Sequence, residues 1–490
     1  MCITYHSIFC SVNKPHFIYS NNNYLFVYEV FLLNYKKNPI IFGTLLLSIS
    51  GLLCRGIGFL YRLFISKAFG EEAMGIFQLT APVLMLAFSL TCAANQTAVS
   101  RYTASCLGKN NEFLAKKFLL TGCFLSFLPA LLYSILVYQQ AENISIYLLR
   151  EKRCTDLLKI SALSFPFSAL HSCFNGYFYG KKNTKTPSFT QIFEQLIRVG
   201  SVLYLYYFLS NHNRVPTITL TCVGMVLGEV SSFLLSLLYY LYSNMKDKNQ
   251  LRSEGSNYKI SSVTDTLHEN DKNPGFLSIG QQLLSFTVPL TLNRVIVNLL
   301  QSYESISIPS YLKEYGYSQE ISLSIYGVLT GMALSLVLFP STFANSVSVL
   351  LLPTIAEASS VKNFLEIKKT ILKSIIFSLI LGTVCTFTFY LSGDLCGILL
   401  FDSPLAGKFI RYLSFLCPFL YLHITLGSIL NGLQKTTSTL FINISSLLFR
   451  LFFVLCLIPQ YGIKAYLWGL LLSELLASIC CIYTLRKNIF

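Results

Sequence analysis

Apolar residues run along this chain in twelve long blocks separated by polar connections. The first six fall at about residues 40–65, 74–100, 113–138, 157–180, 188–210 and 217–242. After a break, six more fall at 278–302, 321–349, 366–392, 407–432, 438–458 and 463–485. Crossing about 30 Å of hydrocarbon takes roughly 20 helical residues, and each block reaches that length. A backbone in lipid must satisfy its own hydrogen bonds, so the pattern predicts an all-α integral membrane protein of about twelve spans. Pro82, Pro129, Pro166, Pro289, Pro340 and Pro418 fit inside the blocks, because neighbouring helices can take up the carbonyls they free.

The polar exceptions inside the blocks carry the next inference. Gly51, Arg55, Gly58 and Arg62 are spaced 4, 3 and 4, which puts them on one helical stripe. An arginine at membrane depth costs several kcal/mol unless a partner, a water-filled cavity or an anionic ligand meets it. A stripe of glycines and cations therefore faces a cavity, and the occupant that suits a cationic cavity is an anion. Thr287, Thr291, Arg294, Asn298 and Gln301 share one face of the seventh block. Asn443, Ser446 and Arg450 line up in the eleventh, and Gln191, Glu194 and Arg198 in the fifth. Glu194 can pair with Arg198 one turn away, either to let both sit in the membrane or as part of a substrate site. Arg294 and Arg450 have no acid one turn away, which favours a ligand role. Glu229 and Glu474 are the other embedded acids; each suits quiet pairing with an arginine or a coupling proton or sodium ion.

The halves resemble each other. Asn175-Gly176 ends the fourth block, and an apolar helix carrying Arg198 follows a basic loop; Asn431-Gly432 ends the tenth, and a helix carrying Arg450 follows Lys435. Arg55 marks the first helix of one half and Arg294 the first of the other. The expected organisation is an N-terminal extension at 1–35, an N-lobe at 36–242, a linker at 243–277 and a C-lobe at 278–490, with a central cationic cavity between two six-helix lobes. The break from Ser243 to Phe276 is polar and of mixed charge, as a flexible linker should be. Residues 1–35 contain only a short apolar run, Tyr24 to Leu33, interrupted by Glu29; it does not read as a signal peptide.

Composition agrees. Apolar residues make up 53% and charged residues 12%, against roughly 25% charged in soluble domains. The formal charge of +15 does not indicate a nucleic-acid partner, because the basic residues lie mostly in short loops and form no basic domain. Counted over loops, 22 lysines and arginines fall on one side and 10 on the other, with five arginines in helices. That bias puts both termini in the cytoplasm, despite an outer cluster of Arg150, Lys152, Arg153 and Lys159. The fifteen cysteines lie mostly singly in apolar runs and read as small apolar fillers. No metal or cofactor is expected.

With these residues in hand the chain resembles the multidrug/oligosaccharidyl-lipid/polysaccharide (MOP) exporter superfamily, in its polysaccharide-type flippase branch associated with stage V sporulation. The resemblance rests on Gly43-Thr-Leu-Leu-Leu, Arg55-Gly-Ile-Gly-Phe-Leu-Tyr-Arg62, Phe69-Gly70, Met74-Gly-Ile-Phe-Gln78, Gln96-Thr-Ala-Val-Ser-Arg101 and Gly176-Tyr-Phe-Tyr-Gly180. Its most specific block is Pro187-Ser-Phe-Thr-Gln191-Ile-Phe-Glu194-Gln195-Leu-Ile-Arg198. The resemblance implies a MATE-like, alternating-access flippase in the cell membrane, carrying an undecaprenyl-pyrophosphate-linked saccharide such as lipid II for wall or spore-cortex synthesis. Its partners would be that lipid-linked oligosaccharide, membrane lipids and a coupling proton or sodium ion. The candidate substrate-binding residues are Arg55, Arg62, Arg198, Arg294, Arg450, Asn298 and Glu194. Related lipid II flippases carry two further helices that form a lipid groove, and with twelve blocks read in this sequence that groove is not expected here.

Three rivals remain at this point. A cation-coupled drug antiporter would want an acidic or aromatic cavity, whereas five embedded arginines face three embedded acids. An enzyme would need outer acids or a nucleophile, and Glu71-Glu72 has no neighbouring His or Asp. A membrane scaffold for wall assembly has no need of two matched lobes.

Overall fold

The computed structural model describes residues 39–254 apart from 110, then 274–345, a few positions between 347 and 355, and 364–489. The expected extension at 1–35 and the middle of the expected linker, 255–273, lie outside the described residues. Among the described residues there is no strand. The principal helices are α1 (Pro39–Thr91), α2 (Ala93–Gly108), α3 (Glu112–Gln139), α4 (Cys154–Ala162), α5 (Phe165–Gly180), α6 (Lys185–Asn211) and α7 (Leu220–Glu254). They continue as α8 (Phe276–Glu314), α9 (Gln319–Gly327), α10 (Leu334–Leu338), α11 (Phe364–Phe401), α12 (Pro404–Leu413), α13 (Cys417–Gly432), α14 (Thr436–Phe452) and α15 (Ile463–Ile489).

Ten helices among the described residues are long and apolar enough to cross a membrane, and α4 with α5, bent by 45°, makes an eleventh. The first of the ten covers 63 residues, Leu46–Gly108. At 1.5 Å per residue that is about 95 Å, some three hydrocarbon thicknesses. It breaks at Gly70 (φ 83, ψ 178), a conformation open to glycine and strained for any other residue. Counted as two spans, it accounts for the twelve blocks of the sequence. The loop expected between the first two blocks is thus a single-residue break, and Glu71 and Glu72 open a second helical arm, 71–91.

Local chemistry sets several helix starts. Asn111 accepts the Leu114 N–H at 2.9 Å, Ser318 the Ile321 N–H at 3.2 Å, and Ser403 the Ala406 N–H at 3.1 Å with Pro404 at the first helical position. Each side chain supplies one of the acceptors that a helix N-terminus lacks. Helix α7 runs on to Glu254, into the stretch read as a linker. All thirteen described cysteines are free, most of them buried, in keeping with a filler role.

Helix α8 leans both ways. Its start packs on α2, α3 and α5: Ile279 and Leu283 share a core with Val99, Phe118 and Tyr177, and Tyr102 donates to the Gln282 carbonyl at 3.1 Å. Its end belongs with α14 and α15 through Glu304, whose partners are Arg450 and Tyr466. The sequence boundary at 302 placed Glu304 in a loop. The helix instead reaches Glu314, so Glu304 is a fourth embedded acid.

Candidate functional site

The first arm of α1 and the segment around 335–345 enclose a cavity of about 350 Å³. Arg55, Gly58, Phe59 and Arg62 line it from α1, three of the four members of the sequence stripe among them; Gly51, the fourth, is not among the lining residues. Ser335, Phe339, Ser341, Thr342 and Asn345 are among the residues lining the other wall. Both arginines are exposed to this space. Among the described residues neither forms an ion pair with a carboxylate. Arg55 Nη1 reaches across to donate to Thr342 Oγ1 at 3.2 Å. Two guanidiniums without counter-charge, opposite hydroxyl and amide groups, make a site suited to an anion that also offers hydroxyls.

The remaining sequence candidates lie elsewhere. Arg198 is paired with Glu194 and lies 3.8 Å from Glu229. His171 sits 3.9 Å from Glu194 and 3.8 Å from Glu229, and its ring also meets Ser232 at 2.9 Å and Asn175 at 2.9 Å. The ligand atoms of His171, Glu194 and Glu229 all lie within 4.8 Å of one another. They are close enough for a cation, but the Arg198 guanidinium already serves both carboxylates. Arg450 does not stand without an acid: its Nη2 donates to Glu304 Oε2 at 2.8 Å, its Nε lies 2.6 Å from Oε1, and the Tyr466 hydroxyl donates to the same carboxylate at 2.8 Å. Asn298 donates to Ser89 Oγ and to the Met85 carbonyl, tying α8 to the second arm of α1. Arg294 is exposed on α8 and is not among the residues that line the cavity.

Several groups went unnoticed in the sequence. Thr342 and Asn345 carry the far wall of the cavity. His423, inside α13, bonds Glu474 at 2.7 Å and Asn443 at 3.2 Å. Glu474 thus pairs quietly, with a histidine rather than an arginine. A histidine within an apolar span was the available signal for His171 and His423.

Comparisons with known proteins define the class. A multidrug resistance MATE family transporter of the MOP superfamily, in its inward-facing conformation, superposes with a TM-score of 0.67 at 14% identity, covering 89% of this chain and 94% of the other. A MOP superfamily transporter from Pyrococcus furiosus, described by the reverse polarity of its binding pocket, superposes with a TM-score of 0.62 at 14% identity, covering 92% and 96%. The fold is that of the MOP transporters. The family profile described as "Polysaccharide biosynthesis protein" matches residues 40–359, and the MatE profile matches 294–455. The chain belongs to the polysaccharide biosynthesis protein family, a family of membrane transporters and flippases rather than enzymes. Among its relatives, stage V sporulation protein B of Bacillus subtilis is 25% identical over 458 residues, covering 92% of this chain and 84% of the relative. The lipid II flippase MurJ of Bacillus subtilis is 21% identical over 401 residues, covering 76% and 71%.

Proposed function

We propose that this protein flips an undecaprenyl-pyrophosphate-linked saccharide, lipid II or a related wall precursor, across the cell membrane by alternating access between two six-helix lobes. The observation that carries the reading is the pair Arg55 and Arg62, without an ion-pair partner among the described residues and facing a cavity whose other wall sets Ser335, Ser341, Thr342 and Asn345 beside Leu338 and Phe339. A pyrophosphate with its sugars cannot cross hydrocarbon unaided, because stripping water from the charge costs too much. Guanidiniums replace that water with bidentate, charge-assisted bonds to phosphate oxygens. Ser341, Thr342 and Asn345 offer partners for sugar hydroxyls, while the prenyl tail stays in lipid. Two partly solvated arginines bind moderately, which suits a carrier that must also release.

The kinship with stage V sporulation protein B supports a role in spore-cortex or wall synthesis, and that with MurJ supports a lipid-linked substrate. Among the described residues, His171, Glu194 and Glu229 lie close enough together to take a coupling proton or sodium ion, which would have to displace Arg198 from the two carboxylates. The decisive experiment is leaflet exchange of labelled lipid II and of a shorter undecaprenyl-pyrophosphate sugar by purified protein in liposomes. Exchange above protein-free liposomes is expected for at least one of them; none for either would leave the scaffold reading standing. For topology, an epitope inserted between residues 255 and 273 should be reached by antibody only from the cytoplasmic face. Access from outside alone would invert the orientation assigned by the loop lysines and arginines.

A further inference from the structure

The first arm of α1 has a second furnished face. Leu53 and Arg55 stand about 200° apart around the helix, so the side opposite the arginine stripe is turned away from the central cavity. That side, the start of α6 and the later part of α7 enclose a cleft of about 650 Å³. The cleft and the cavity share no lining residue. The three helices agree on its polarity. From one end to the other, α1 contributes Leu46, Ile49 and Leu53, and α6 contributes Lys185, Ser188, Phe189 and Ile192. Helix α7 runs the other way and contributes Ser243, Tyr242 and then Tyr239. Lys185, Ser188 and Ser243 thus mark one end. Leu53 and Ile192 mark the other, about 10 Å deeper at 1.5 Å per residue. Phe189 meets Tyr239 edge-on, ring centroids 6.4 Å apart, and joins α6 to α7 along the wall.

Two features of the polar end call for an anion. Helix α6 opens on a cation, Lys185, has no acid in its first turn, and its Thr184 cap makes no side-chain hydrogen bond. A helix N-terminus already carries partial positive charge, so a lysine there is misplaced until a negative group joins it. Ser188 is 3% exposed and lines the cleft, yet its Oγ has no hydrogen-bond partner among the described residues. A buried hydroxyl is seldom left in that state. The deeper part suits a hydrocarbon chain, since Ile49, Leu53 and Phe189 are large apolar side chains left about half exposed. Tyr242, exposed at the mouth, is the kind of residue that sits at headgroup level.

We propose that this cleft binds one anionic phospholipid of the cytoplasmic leaflet, its phosphate held by Lys185, the Ser188 hydroxyl and the positive end of α6, and one acyl chain laid between Leu53 and Ile192. The leaflet follows from the loop lysines and arginines, which put the start of α6 on the cytoplasmic side. Basic pockets between membrane helices on that side recognise anionic headgroups. The site does not depend on what the protein carries, and the lipid is a ligand of the back of α1 while Arg55 and Arg62 serve the front. Because it binds the folded state, it should also raise the unfolding midpoint.

The test titrates the purified full chain in neutral detergent with phosphatidylglycerol, phosphatidylcholine or inorganic phosphate. Lipid retained per protein is read by native mass spectrometry, alongside the unfolding midpoint. One phosphatidylglycerol should bind, about tenfold tighter than phosphatidylcholine. Lys185→Glu should weaken it by about 30-fold, the scale of trading an attraction for a repulsion beside an anionic headgroup. Ser188→Ala should weaken it by about tenfold, as for one hydrogen bond to a charged group. The lipid-free midpoint of Ser188→Ala should not fall, because the hydroxyl has no partner to lose; this conservative variant decides the matter if Lys185→Glu fails to accumulate. Arg55→Ala should retain the lipid unchanged, and millimolar phosphate should neither displace it nor raise the midpoint. Equal retention of both lipids, indifferent to Lys185→Glu and Ser188→Ala, would make this unselective boundary lipid and overturn the proposal. Displacement by free phosphate would overturn it in favour of a soluble anion, and loss in Arg55→Ala would overturn it by moving the lipid to the central cavity.

Discussion

Arg55→Ala is expected to abolish flipping while leaving the protein at normal abundance in the membrane. Removing a guanidinium from a phosphate costs about 1.5–3 kcal/mol per charge-assisted hydrogen bond, so losing one bidentate contact weakens binding by about 100-fold or more. Folding should hardly respond. Arg55 faces the cavity, leaves no carboxylate uncompensated among the described residues, and gives up one hydrogen bond to Thr342. Arg55→Lys keeps the charge but loses the planar fork, and should retain measurable exchange, reduced by about tenfold. Arg62→Ala should match Arg55→Ala, since it lies two turns along the same stripe and lines the same cavity. The measurement is leaflet exchange in liposomes, paired with complementation of a flippase-deficient strain and a blot for abundance. If both alanine variants accumulate normally and still flip, pyrophosphate recognition by this stripe is wrong.

The contrast among the five embedded arginines shows what a sequence reveals and what it hides. Arg55 and Arg62 were legible because their evidence is local: a helical stripe shared with Gly51 and Gly58 says which way they face. The spans were legible for the same reason, since hydropathy over some twenty residues is a property of the segment itself. Arg198 was half legible. Its partner Glu194 is one turn away, but His171 and Glu229 arrive from α5 and α7. Arg450 was not legible, because Glu304 is 146 positions distant and fell beyond the end assigned to its block. Asn298 shows the limit of stripe reasoning. Its face is polar, as expected, but it meets Ser89 and Met85 of another helix and not the cavity. A polar stripe says that a face avoids lipid; only the packing says what it meets. The break at Gly70 was hidden for a different reason: one positive φ does the work of a loop.

Arg450→Ala is expected to be the most destabilising of the single arginine substitutions. Glu304 is 3% exposed, and its carboxylate is held by Arg450 and by the Tyr466 hydroxyl. Truncating the arginine leaves a buried, unpaired charge, a loss of roughly 3–5 kcal/mol. The contact also fastens the end of α8 to α14 and α15, so the loss falls on the packing of three helices at once. Thermal unfolding in detergent should show a clear drop in midpoint, with reduced membrane abundance. Replacing both partners, Arg450→Met with Glu304→Gln, should recover much of the loss, because neither residue then leaves a charge stranded. Arg55→Ala measured alongside should scarcely move the midpoint. The two roles are thereby separable: a structural arginine lowers the midpoint and is rescued by its partner's neutralisation, whereas a ligand arginine loses transport at an unchanged midpoint. Should Arg450→Ala keep its midpoint and lose exchange, Arg450 would join Arg55 and Arg62 as a substrate contact, as its polar stripe with Asn443 and Ser446 suggests when read alone.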